Sequence, residues 1–170
     1  MLSAEFENME KLKDEVNVAK ILFQSSSNER KNEALSNIIK ALEKNKKKIM
    51  KANELDLKSA KQLVDAGKMT QSAYNRLKLD EDKFRDMIEG IKEVINLEDP
   101  TNKRVWAMRL DKELDLYRQS CPIGIIGVVF ESRPDVIVQI SSLMIKSGNV
   151  VIMNCLLYTS DAADDGESGD

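Results

Sequence analysis

The sequence predicts an α/β fold: a helical amino-terminal layer, a β-hairpin arm, and an incomplete Rossmann-like parallel sheet. Three observations carry this expectation. Apolar residues recur at helical spacing through the first hundred positions. At Arg104 the period shortens to that of extended chain. From Ser120 to Val151 an apolar run, a polar elbow, an apolar helical stretch, a glycine turn and a second apolar run follow in order. That order is one βαβ unit, the device by which open α/β sheets hold nucleotides or phosphorylated ligands at strand ends.

Within the helical part, Leu2, Phe6, Met9, Leu12, Val16, Ala19 and Phe23 line one face of a first helix. Ser26-Ser27-Asn28-Glu29 fits a capping box in which the Ser26 hydroxyl and the Glu29 carboxylate satisfy each other's free amides. The helix it opens carries Leu35, Ile38, Ile39 and Leu42. A third helix carries Ile49, Ala52, Leu57, Ala60 and Val64 and stops at Gly67, where a missing Cβ suits a left-handed cap. A short helical stretch begins near Thr70. Asp80 caps a further helix with Phe84, Met87, Ile88, Ile91 and Ile95 inward, and Pro100 ends that run.

Val105–Leu110 and Leu114–Arg118 flank the polar turn Asp111-Lys112-Glu113, the pattern of a hairpin. It is either an arm reaching another subunit or an ordinary edge hairpin. Ile123–Phe130 is a continuous apolar run, as expected of a strand buried on both faces. Gly124 and Gly127 precede or interrupt that strand instead of following it, so they mark close packing and not a dinucleotide fingerprint.

The elbow is Glu131-Ser132-Arg133-Pro134. Ser132 suits a helix cap with Asp135 as its capping partner, and Pro134 suits a first turn. Free amides at a helix start favour an anion, and the Arg133 guanidinium matches phosphate or carboxylate. Arg133 is equally suited to being tied by Glu131 or Asp135. The helix after it is apolar nearly all round (Val136, Ile137, Val138, Ile140, Leu143, Met144, Ile145), which predicts layers on both its sides. Lys146-Ser147-Gly148-Asn149 then turns the chain into a strand from Val150 to Met153.

Composition narrows the class. The 170 residues carry 32% charged and 42% apolar side chains with a net charge of −3, both signs interspersed. A single globular domain fits, and no basic stripe recommends nucleic acid. No apolar run approaches the roughly 20 residues of a membrane helix. The start has no leader pattern, and a reduced cytoplasmic setting is the default. There is no histidine, which removes the commonest general base and transition-metal ligand. Cys121 and Cys155 form neither a disulfide framework nor a metal motif.

FESRPDVIVQISSLMIKSGNVVIM closely resembles a segment of the gamma-glutamyl phosphate reductase (glutamate-5-semialdehyde dehydrogenase) family, in the aldehyde dehydrogenase superfamily. RKNEAL, IMKANELDLKSA, RLKLDEDKFRDMIEGIKEV and LDLYRQSCPIG resemble further family segments in family order. The resemblance implies an aldehyde-dehydrogenase-like fold in a cytoplasmic, homo-oligomeric enzyme of proline biosynthesis. Such an enzyme reduces L-glutamyl 5-phosphate with NADPH and releases phosphate. A cysteine thiolate attacks the acyl carbon, and hydride resolves the thioester, which divides one hard step into two. The superfamily's oligomers use an arm near residues 104–118.

Carried over, Glu131, Ser132, Arg133 and Pro134 face cofactor and substrate phosphate, and Met153 ends the strand leading to the adenosine-ribose site. The match fails at Asn154 and Cys155, where the family continues with a basic residue and paired glycines. The remainder holds five acidic residues without apolar periodicity, so residues 154–170 are expected to be an unrelated or disordered tail beside an enzyme portion spanning 1–153. Neither cysteine matches the family's nucleophile, which lies farther along. The chain is therefore expected to be an inactive amino-terminal piece, with no catalytic residue and no metal of its own. Two other readings are a helical interaction protein keeping part of an enzyme scaffold, and an aldehyde dehydrogenase with another substrate.

Overall fold

The computed structural model describes residues 2–131 and 133–156, and the side chains of 10–131 and 133–155. The described residues form five helices and four strands, helices first and the βαβ unit last: α1 (Leu2–Gln24), α2 (Asn28–Asp65), α3 (Gln71–Leu77), α4 (Glu81–Asn96), β1 (Arg104–Asp111), β2 (Leu114–Gln119), β3 (Ile125–Glu131), α5 (Pro134–Ser147) and β4 (Val150–Leu156).

Local chemistry explains most boundaries. Thr70 and Asp80 cap α3 and α4, their side-chain oxygens accepting from the amides of Ala73 and Lys83. The hydrogen bond donated by the Lys83 backbone amide holds the Asp80 carboxyl below its usual range. Gly67 adopts φ +71° just past the end of α2. The cap of α2 is Ser27 and not Ser26: the Ser27 oxygen accepts from the Arg30 amide, whereas the Ser26 hydroxyl donates back to the Leu22 carbonyl. The two helices expected between Asn28 and Val64 are one. No glycine or proline stands between Ser27 and Gly67, and lysine-rich sequence such as Lys44–Lys48 propagates a helix well.

The core lies among α2, α4 and α5. Leu79, Phe84, Met87 and Ile88 pack with Ile39, Leu42, Ile49, Met50 and Val138; Leu35, Ile91 and Val94 pack with Ile38, Ile95 and Ile145. Of the stripe expected on α1, Val16 is buried and Leu12 is exposed, while the side chains of Leu2, Phe6 and Met9 lie outside the described set.

β1 and β2 form an antiparallel hairpin whose residues are all exposed. β3 and β4 form a separate parallel pair, Ile125↔Val150 through Glu131↔Leu156. β4 therefore runs three residues beyond Met153; residues 157–170 lie outside the description.

Two expectations fail here for one reason. β3 is not buried on both faces but alternates exposed and half-buried, with Val129 63% exposed. α5 is not enclosed either: Ile137 and Leu143 are exposed, and its buried residues are Ser142 and Lys146. The sheet has only two strands, and the contacts that α1 and α5 make with it leave alternate β3 residues uncovered.

Buried polar groups join the elements. Lys31 Nζ donates to Asp99 Oδ1 (3.2 Å), Asp99 Oδ2 (3.1 Å) and Thr101 Oγ1 (3.1 Å). Lys146 Nζ donates to Asn28 Oδ1 (3.0 Å), Asn32 Oδ1 (2.8 Å) and the Ile95 carbonyl (3.0 Å). Both lysines are almost fully buried, at 3% and 2% exposure. Burial, with the nearby Lys31 charge, pushes the Lys146 ammonium down from its ordinary pKa despite the opposing Asp99 charge. Asn53 clamps α3 to α2: its amide nitrogen donates to the Leu77 carbonyl (2.8 Å), and its oxygen accepts from the Leu79 amide (2.9 Å).

Lys146→Met should cost about 2–3 kcal/mol in urea unfolding, because it strips the donor from three acceptors that were placed around it. For Asp99, burial raises the carboxyl pKa, but the Thr101 amide and hydroxyl and the Lys31 ammonium outweigh it and the net value falls below 3.8. A depressed folded pKa means the stabilisation is present above about 3.8 and is lost as pH falls through the folded value. Urea midpoints followed from pH 6 downward should drop over that window in the wild type, and Asp99→Asn should flatten the drop.

Candidate functional site

The βαβ unit has two ends with different chemistry. At the amino end of the strands the backbone is locked. Asn149 Oδ1 accepts from the Gly124 amide (2.8 Å), and the Gly124 carbonyl accepts from the Val150 amide (2.9 Å), so both strands start from one hydrogen-bonded pair of turns. Asn149 Nδ2 donates to Ser147 Oγ (2.9 Å). Gly148 closes α5 at φ +70°, its amide donating to the Ile145 carbonyl while the Asn149 amide reaches Met144. A Cβ on Gly148 would stand 3.1 Å from Pro122 Cγ. Gly124, at φ +120°, lies under the Lys20 side chain of α1, where a Cβ would meet Cε at 3.4 Å. Gly127 differs: a Cβ there would meet nothing within 4 Å, so the close packing expected at both glycines holds only at Gly124.

At the carboxyl end lies the elbow. Glu131 is the last residue of β3 and is exposed. Ser132 lies outside the described residues, and with it the cap expected there. The N-cap position falls on Arg133, which makes no side-chain cap bond; Pro134 occupies the first turn as expected. Asp135 Oδ2 accepts from Arg133 Nη2 at 2.7 Å, and its expected capping partnership with Ser132 lies outside the described residues. Of the two carboxylates that could tie Arg133, the structure selects Asp135. Glu131 is engaged by Arg76 of α3 in an ion pair that spans fifty-five positions of chain. Sequence reasoning missed Arg76. Its only signal was a place at the head of the RLKLD segment.

Met153 is not brought to the elbow. It pairs with Val128, three residues behind the Glu131↔Leu156 pair, or about 10 Å along the strand. Cys155, opposite Phe130, lies nearer the carboxyl end and is exposed; Cys121 precedes β3 at the other end. Among the described residues no cluster of three or more Cys, Asp or Glu could hold a metal ion. A cleft of roughly 480 Å³ is lined by Asn96, Leu97, Pro100, Leu143, Lys146 and Ser147. It flanks the far end of α5, up to 14 residues or about 20 Å from the elbow. The elbow is the better candidate because it alone combines strand ends, a helix start and exposed charged side chains.

The elbow can receive an anion. α5 presents its first amides there, and Arg133 and Asp135 leave part of the guanidinium fork facing solvent, with Arg133 47% exposed. No described helix is long and apolar enough to cross a membrane.

No family model matches the chain. Curated relatives do. Gamma-glutamyl phosphate reductase of Brachyspira hyodysenteriae is 53% identical over 130 residues, covering 76% of this chain and 30% of the relative. The enzyme of that name from Methanosarcina mazei is 50% identical over 134 residues, covering 79% and 30%. Among solved structures, gamma-glutamyl phosphate reductase of Saccharomyces cerevisiae superposes with a TM-score of 0.81 at 39% identity, covering 86% of this chain and 36% of that one. The Thermotoga maritima enzyme gives 0.76 at 30% identity, covering 84% and 33%.

The fold is therefore aldehyde-dehydrogenase-like. Within that class the chain is homologous to gamma-glutamyl phosphate reductase, as its resemblance implied. It spans about 30% of the length of the curated relatives it matches.

Gly148→Ala should destabilise the unit by about 1–2 kcal/mol, since the new Cβ meets both the left-handed φ and the Pro122 ring. Thermal or urea unfolding of the variant checks this.

Proposed function

We propose that this stretch serves an NADPH-dependent reductase that converts L-glutamyl 5-phosphate to L-glutamate 5-semialdehyde and phosphate, in the cytoplasm. The observation that carries the reading is the elbow: a helix start and an exposed arginine converging at the carboxyl end of a parallel sheet. The relatives, named for the reduction of gamma-glutamyl phosphate, supply the chemistry that such a site would serve.

The described residues fit an anionic group of the cofactor or the substrate. The solvent-facing part of Arg133 provides donors, the start of α5 adds the positive end of its dipole, and Pro134 takes up a position where no amide is lost to the helix. When bound, NADPH supplies the hydride. What the chain contributes is the binding and orientation of charge, with Ser132, Arg133 and Pro134 as binding residues, Glu131 as the carboxylate that positions a cation beside them, and Met153 on the strand behind. An arginine at this place favours a phosphorylated substrate over a neutral aldehyde.

The hairpin fits the role of an arm docking on a second copy. Val105, Trp106, Met108, Leu110, Leu114 and Leu116 are all exposed, an apolar surface on both its strands. The 170-residue chain by itself is proposed to be inactive.

The test is NADPH oxidation driven by glutamyl phosphate. In a longer homologous protein, Arg133→Gln at the equivalent arginine should raise KM for the phosphorylated substrate severalfold with a smaller change in kcat. The 170-residue chain should give no turnover above background. An unchanged KM removes the arginine from the binding role, and turnover by the chain alone overturns the proposed inactivity.

A further inference from the structure

The elbow carries a second guanidinium that the reading above does not use. Arg76 sits in the last turn of α3 and pairs with Glu131, and the two side chains are 44% and 49% exposed. Its place is not accidental to a floppy segment. α3 is capped by Thr70, buries Ala73 at 3% exposure, and is clamped at its end by the buried Asn53 amide, which holds both the Leu77 carbonyl and the Leu79 amide. Arg76 also reaches Ser72 Oγ at 3.5 Å. A rigid base thus delivers a flexible cation to the end of β3.

The charges at the elbow cancel in pairs: Arg76 with Glu131, and Arg133 with Asp135. The two pairs are not equivalent. Asp135 is sheltered, with 13% of its side chain exposed, and sits in the first turn of α5 where a carboxylate is favoured by the helix dipole. Glu131 is half exposed and closes a strand, with no helix to favour its charge. An incoming phosphate therefore displaces Glu131 from Arg76 more readily than Asp135 from Arg133. A phosphate also offers more acceptor oxygens than the carboxylate it replaces.

We propose that Arg76 is a second phosphate-binding group at the elbow, and that Glu131 holds it in place until a phosphate ester takes the carboxylate's position. This rests on the reading of the elbow as an anion site and adds to it a residue from a different layer of the fold. It makes Glu131 a placeholder whose removal helps binding, which an ordinary surface ion pair does not predict.

The experiment is a phosphate titration of the 170-residue chain, followed by amide and guanidinium NMR signals, with inorganic phosphate as the probe. Glu131→Gln should tighten binding about two- to fivefold, the range an exposed ion pair is worth. In the Arg76→Gln background that gain should vanish, and Arg76→Lys should restore part of it. An equal gain in both backgrounds, no gain, or no response to phosphate in any variant overturns the proposal. Arg133→Gln separates the two readings. If it abolishes binding while the Arg76–Glu131 cycle is flat, the elbow stands and the role of Arg76 falls. If it leaves binding unchanged while the cycle holds, the reverse follows. The substituted side chains are about half exposed and Glu131→Gln keeps its size, and retained dispersion of the amide spectrum shows that each variant folds.

Discussion

Lys146 dictates how the α/β unit is held. An ammonium taken out of water must be surrounded by acceptors or it costs several kcal/mol, and its three partners come from two separate elements: Asn28 and Asn32 at the start of α2, and the Ile95 carbonyl at the end of α4. The C-terminal turn of α5 therefore has one place to be. Lys31, one turn from Asn28, does the same for the connection out of α4 by gathering Asp99 and Thr101. The Gly148 cap extends the arrangement, because a Cβ there would crowd Pro122 and touch Thr101 and Lys31. Neutral partners for one lysine and a charged partner for the other also keep the two ammoniums from sharing one carboxylate.

α5 works as a strut with one fixed end. Its carboxyl end is buried in the lysine cluster, and its amino end opens at the elbow with exposed charges. Fourteen helical residues carry the precision of the first end to the second, since a helix transmits position along its axis with little bending over about 20 Å. The Asn149–Gly124 bond does the equivalent for the strands. The rigid features thus lie away from the exposed residues, the arrangement expected of a site whose side chains must stay accessible while their backbone stays still.

How far the sequence could be read follows the range of the interactions. Thr70, Asp80, Gly67 and the Lys112-Glu113 turn are decided by a few neighbouring residues, and each was legible as a residue type at a place. The α2 cap was misplaced by one because Ser26 and Ser27 carry the same hydroxyl; only the register of the helix distinguishes them. The division into one helix carrying Leu35–Leu42 and another carrying Ile49–Val64 failed for a related reason, since loss of apolar periodicity on an exposed face is not a helix stop. At the site, the elbow was legible because Pro134 and the apolar runs frame it. The choice of Asp135 over Glu131 for Arg133 was not, since it depends on Arg76 arriving from α3 to occupy Glu131. The motif KSGN was visible as a turn, but nothing in its letters says that its lysine points inward to two asparagines more than a hundred residues earlier.

The exposed faces of β3 and α5 complete the physical account. An apolar run such as Ile125–Phe130 has the composition of a strand covered twice, yet it is covered once, and Ile125, Val129, Ile137 and Leu143 are left in contact with water. The strand pair is held by its ladder, by the Asn149 turn and by α5, and not by burial on both sides. Stability of the described chain must therefore be concentrated in the α2–α4–α5 core, where Leu35 and Ile91 are essentially inaccessible. The sheet and the elbow on its edge draw on that core through α5. A site placed this way can adjust its charged side chains without disturbing the packing that locates them.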